Sequence, residues 1–148
     1  RTMQDNPQYT DVVSEIVDYL KQRLDSLADQ GIDPNRVSLD PGIGFGKTAR
    51  QSAALVASSA ALAERSGCAV LIGASRKRFL AAIGSRGTSA GERTLASVTA
   101  AVLAAAHGAA VVRVHDVAAT AEALEVGAAI ELEWARARPL TRSGRRSF

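Results

Sequence analysis

A chain of 148 residues, 47% hydrophobic and 22% charged, holds enough apolar side chains for the core of one ordinary domain, which excludes a chain disordered as a whole. Its single cysteine excludes an internal disulfide framework and a cysteine-built zinc site, and Cys68, just ahead of an apolar run, reads as a buried thiol. The net charge of +3 suggests nucleic acid, yet five arginines and no acid fall in residues 136–148, and without them residues 1–135 carry −2. Residues 1–135 therefore read as the folded domain and 136–148 as a frayed arginine-rich tail, and nucleic-acid binding is not expected. No run approaches the ~20 apolar residues of a membrane span and no secretory signal opens the sequence, so the expected location is cytoplasmic.

After a polar opening that contains Pro7, Val13, Ile16, Val17, Leu20, Leu24 and Leu27 recur at helical spacing between Asp11 and Gln30. Gly31 stops that helix, and Asp33-Pro34-Asn35 is turn chemistry. Val37 to Asp40 is a short strand, followed by a loop with glycine at 42, 44 and 46. Residues 50–66 read as one alanine- and leucine-rich helix closed by Gly67. Ala69 to Ile72 is wholly apolar, as a strand covered on both faces requires. Phe79 to Ile83 is a short helix, and residues 91–107 a longer one with Leu95, Val98, Val102 and Leu103 facing inward. Val111 to Val114 is a third strand, and a last helix runs from about 117 to 135. Helices alternating with short apolar strands predict a parallel α/β architecture. The strands recur roughly every 37 residues, the length of one βα unit of a (β/α)₈ barrel with insertions; such a barrel needs about 250 residues, so the fold expected is a barrel's last part or a small open sheet.

Asp40, Lys77 and His115 each stand at or just past a strand's C-terminal end, 37 and 38 residues apart. Parallel α/β folds bind ligands at that edge. Each residue also has a plainer reading: Asp40 as a turn cap, Lys77 as a solvated lysine, His115 as a helix-start residue bonded to backbone. His107, in a helix's last turn, reads as structural. Arg76, Lys77 and Arg78 gather where a short helix starts, and cations there suit an anionic ligand. Arg113 lies within an apolar strand, so its guanidinium needs a carboxylate or a phosphate. Gly46-Lys47-Thr48 ends like a Walker A loop, but Pro41 stands where the first glycine belongs, and G-x-G-x-G is not the dinucleotide fingerprint. Glycine at every second position lets the backbone turn sharply and approach a flat ligand, with Phe45 available to lie against a ring.

Three segments carry a resemblance. Asp40-Pro41-Gly42-Ile43-Gly44-Phe45-Gly46-Lys47, Gly73-Ala74-Ser75-Arg76-Lys77-Arg78-Phe79-Leu80 and Val112-Arg113-Val114-His115-Asp116-Val117 resemble signatures of the dihydropteroate synthases, in that family's order and spacing. The resemblance covers about residues 1–135. It implies a (β/α)₈ barrel of which this chain is the C-terminal part, about three βα units, and a cytoplasmic folate-pathway transferase. That enzyme joins a dihydropterin pyrophosphate to p-aminobenzoate with loss of pyrophosphate. By the same resemblance Asp40, Lys77 and Gly73 bind the pterin, and Arg113 and His115 the pyrophosphate. Phe45, Gly46, Ser75, Lys77 and Arg78 border the p-aminobenzoate. It implies Mg²⁺ as cofactor, with its protein ligand in an N-terminal half absent from this chain, no metal ligand among these residues, and a homodimer. The rival readings are a pterin-dependent methyltransferase domain and a truncated pterin-binding paralogue without turnover.

Overall fold

The computed structural model describes residues 8–84 and 89–137. The six α-helices described are α1 (Val12–Ala28), α2 (Ala49–Ala57), α3 (Ser59–Ser66), α4 (Arg78–Gly84), α5 (Thr94–Ala106) and α6 (Val117–Ala137). The strands are β1 (Ser38–Leu39), β2 (Ala69–Ile72) and β3 (Val111–Val112). They form a parallel sheet in the order β1-β2-β3, with Leu39 opposite Val70 and Ile72 opposite Val112. The alternating α/β architecture expected from the sequence is present. The arginine-rich segment beyond residue 137 lies outside the described residues, and Arg136 falls within α6, where it pairs with Glu133 at 2.5 Å.

Local chemistry starts the helices. Asp11 accepts from the amides of Val13 and Ser14, while Glu15 accepts from those of Thr10 and Asp11, so the first turn of α1 is capped from both sides. Thr48 and Gln51 form the same reciprocal box at α2. The core lies between helices and sheet: Val17, Ile43, Leu55, Leu62, Val70 and Ile72 are at most 2% exposed. Truncating such a side chain to alanine costs roughly 2–5 kcal/mol. Cys68 is buried with Leu24 and Leu39 in a smaller cluster.

Three expectations need correction. The single helix over 50–66 is two, broken at Ser58 (φ −100°, ψ 20°). The Ala60 amide donates to the carbonyl of His107 at 2.7 Å, a contact from the end of α5 that takes this amide out of the helical ladder. Second, the inward face of α5 is Ser97, Ala100, Ala101 and Ala104, whereas Leu95 is 80% exposed and Leu103 48%. Small residues let α5 approach its neighbours closely; Gly127 of α6 sits against Val102, where an added Cβ would come within 3.2 Å. Third, β1 and β3 span two residues each rather than four, so Arg113 and Val114 stand beyond the ladder. Each of these strands pairs on one side only in the described sheet. The Arg113 amide still donates to the carbonyl of Ile72 at 2.9 Å, which holds the chain beside β2 for one residue more.

Candidate functional site

All three strands end at one rim. Asp40 follows β1, Gly73 to Lys77 follow β2, and Arg113 to Asp116 follow β3. Arg113 Nη2 donates to Asp40 Oδ2 at 2.8 Å, so its partner is a carboxylate of the rim itself, although the arginine side chain is 59% exposed rather than buried as its place in an apolar run suggests. The guanidinium crosses directly over Gly73, where a Cβ would lie 2.6 Å from Nη2 and would push the arginine aside. Asp40 also closes a turn by accepting from the Gly42 amide at 2.9 Å. Its turn-capping role and its rim position are therefore both real.

The glycine loop bends as its spacing predicts: Gly42, Gly44 and Gly46 have φ of 70°, 76° and 55°. This brings the carbonyl of Ile43 onto Lys77 Nζ, which donates to it, and sets the Phe45 ring 4.4 Å from that ammonium. Burial holds the Lys77 pKa below the ordinary lysine value; the charge of Asp40 opposes the shift, and Arg113 and Lys47 add to it. Lys47 is likewise lowered by burial, donates to the Phe45 carbonyl at 3.1 Å and stands 5.6 Å from the Tyr9 ring. A hollow of about 540 Å³ opens between α1 and this loop, lined in part by Tyr9, Tyr19, Asp40, Phe45 and Lys47. Ser75 Oγ lies 2.9 Å from His115 Nδ1 and also accepts from the His115 amide at 3.2 Å.

Asp40, Gly73, Ser75, Lys77, Arg113 and His115 thus share one rim, with Phe45 and Gly46 on the loop facing Lys77. The basic trio does not act together. Arg76 pairs with Asp116 at 2.7 Å, Lys77 turns to Ile43 and Phe45, and Arg78 is exposed at the start of α4. Lys47 and Asp116 were not singled out from sequence. Lys47 stands at the near-miss end of a phosphate loop, and both residues lie within the segments that carry the resemblance, without a role of their own. His107 has the structural role expected of it: Nδ1 bonds the Leu103 carbonyl at 2.9 Å. Magnesium finds no built site here. Among the described residues there is no group of three or more His, Cys, Asp and Glu, and Asp40 and Asp116 are both held by arginines.

A family model described as "Pterin binding enzyme" matches residues 1–115. The dihydropteroate synthase of Neisseria meningitidis serogroup C is 44% identical over 130 residues, which is 88% of this chain and 46% of that protein. That of Escherichia coli is 37% identical over 126 residues, 85% of this chain and 44% of that protein. The structure of Xanthomonas albilineans dihydropteroate synthase in complex with 7,8-dihydropteroate superposes with a TM-score of 0.78 at 41% identity, covering 90% of this chain and 48% of that one. The Thermus thermophilus enzyme in complex with 4-aminobenzoate gives 0.80 at 35% identity, covering 88% and 51%. The chain thus spans about half the length of the relatives it matches, and no described helix is long and apolar enough to cross a membrane. A match over residues 1–115, together with these relatives at both sequence and structure level, means that the chain belongs to the pterin-binding enzyme family, alongside its dihydropteroate synthases.

Proposed function

We propose that the chain forms one wall of the active site of a dihydropteroate synthase, as the last three βα units of a (β/α)₈ barrel. The observation that carries this reading is the rim itself: three consecutive parallel strands bring Asp40, Lys77 and the Arg113–His115 pair together, in the motifs that resemble the family. The Xanthomonas albilineans complex with 7,8-dihydropteroate and the Thermus thermophilus complex with 4-aminobenzoate support the ligand class.

In this reading the carboxylate of Asp40 accepts hydrogen bonds from the donor-rich N–C–N edge of the pterin. Gly73 leaves room for Arg113 beside it, and Lys77 donates to the pterin while bordering the arylamine. Phe45, Gly46, Ser75 and Arg78 border the p-aminobenzoate. The amine nitrogen attacks the pterin methylene carbon, the carbon–oxygen bond to pyrophosphate breaks, and the nitrogen gives up a proton. Arg113 and His115 stabilise the negative charge that grows on the leaving pyrophosphate. No side-chain nucleophile is required. Among the described residues no cluster is placed to hold magnesium, so in this reading the ion's protein ligand lies outside them, and the homodimer and the cytoplasmic location belong to the same proposal.

The roles are tested in the full-length protein with Arg113→Ala and His115→Ala. Each should weaken binding of the dihydropterin pyrophosphate by about 1.5–3 kcal/mol, the worth of a charge-assisted hydrogen bond. His115→Ala should leave free pterin binding nearly unchanged, whereas Arg113→Ala also releases the Asp40 carboxylate. Equal loss for both ligands in His115→Ala would overturn the assignment.

A further inference from the structure

We propose that Arg76 is a positioning residue: with Asp116 it clamps the loop after β2 to the loop after β3 and so fixes where Lys77 and His115 stand. Among the described residues Arg76 alone, glycines aside, has a positive φ, 59°. A residue with a Cβ is disfavoured there and stays only where its surroundings over-determine it. Arg76 is held at three points. Its amide donates to Ser97 Oγ at 2.8 Å, and its carbonyl accepts from Nε of the buried Arg93 at 3.0 Å. Its guanidinium reaches both oxygens of Asp116, Nη2 to Oδ1 at 2.7 Å and Nε to Oδ2 at 3.3 Å. The brace is itself braced, because Ser97 Oγ donates to the Arg93 carbonyl at 2.6 Å and Thr94 Oγ1 to Asp116 Oδ2 at 3.4 Å.

The two loops are joined by two adjacent rungs, each between residues 40 apart: Ser75 with His115, and Arg76 with Asp116. The first rung joins two residues assigned to the ligands, and the second is an ion pair. The hydrogen bonds from Arg76 keep the Asp116 carboxyl below the usual carboxylate range, so the pair stays charged at neutral pH. The left-handed turn at Arg76 sends its own side chain to Asp116, while that of the next residue, Lys77, goes to the Ile43 carbonyl and the Phe45 ring. Asp116 starts α6 in the same stroke, its carbonyl accepting from the Thr120 amide and hydroxyl. Arg76 therefore serves through Lys77 and His115, with its own charge committed to Asp116. Displacing a positioned group by an ångström lowers a rate steeply. The effect on rate rests on the synthase reading; the clamp does not.

The test compares the full-length protein with Arg76→Gly, Asp116→Asn and Arg76→Lys. Glycine tolerates the left-handed backbone and removes the whole side chain, guanidinium included. Amide hydrogen exchange should quicken at least tenfold at His115 in Arg76→Gly, across the loop gap from the substitution. Unchanged exchange there overturns the clamp whatever the activity. In steady-state kinetics with dihydropterin pyrophosphate and p-aminobenzoate, kcat should fall at least tenfold in Arg76→Gly and Asp116→Asn. Either KM should change less than threefold, and Arg76→Lys should recover part of kcat. Unchanged kcat in a variant whose exchange has quickened overturns the positioning role. Should Arg76→Gly unfold, Asp116→Asn gives both readouts with a side chain of the same shape. If the unsubstituted protein makes no dihydropteroate, the synthase reading fails, and the exchange data still decide the clamp.

Discussion

Asp40 serves two partners before any ligand arrives. Oδ2 holds Arg113 and Oδ1 holds the Gly42 amide, so a pterin that uses this carboxylate must share it with the arginine or displace it. Lys77 stands beside the same group, and its environment gives a prediction with a definite sign. Burial places its folded pKa below 10.5, so between that value and 10.5 the folded chain binds fewer protons than the unfolded one. Raising pH through that window therefore favours the folded state. An NMR titration of the Lys77 Cε resonances should show a midpoint below 10.5, and a midpoint at or above it would contradict the buried placement. Ser52 gives a second test. Its Oγ is buried and has no hydrogen-bond partner among the described residues, which costs stability. Ser52→Ala should leave stability unchanged or raise it by up to about 1 kcal/mol in a urea titration, since alanine is also the better helix former. A clear loss would mean that the hydroxyl has a partner.

The break between α2 and α3 and the end of α5 make one joint. Gly108 follows α5 with φ 93°, and a Cβ there would lie 3.0–3.2 Å from Ala60, including its backbone atoms. Backbone cannot swing aside as a flexible side chain can, so Gly108→Ala should cost on the order of 2 kcal/mol, combining left-handed strain with the clash. A thermal melt within a degree of the parent would contradict the tight joint. What the sequence conceals follows from this kind of contact. Asp40, Lys77 and His115 were legible because strand ends in a parallel sheet recur in phase, and polar residues stand out against apolar runs. The glycine loop was legible because alternate glycines have few other uses. The helix break at Ser58, the left-handed Arg76 and the inward face of α5 were not, because each is decided by a distant partner. His107 takes the amide of Ala60, Asp116 takes the guanidinium of Arg76, and close neighbours choose alanines over Leu95 and Leu103. Arg113 was legible as needing a partner, but nothing local chose between phosphate and carboxylate.

At the scale of the molecule, β1 and β3 each pair on one side in the described sheet, and the rim residues stand along a single arc. Closing a barrel takes eight strands, so in the proposed reading five further βα units supply the opposing wall. Catalysis that works by positioning falls away when half of the constellation is missing. The most direct measurement supplies dihydropterin pyrophosphate, p-aminobenzoate and magnesium to two preparations, residues 1–148 alone and the same residues joined to the five preceding βα units, and follows dihydropteroate formation. Turnover is expected in the joined protein and none above background in the 148-residue chain. A joined protein that makes no dihydropteroate, or a 148-residue chain that turns over as fast as an active joined protein, would refute the half-barrel reading.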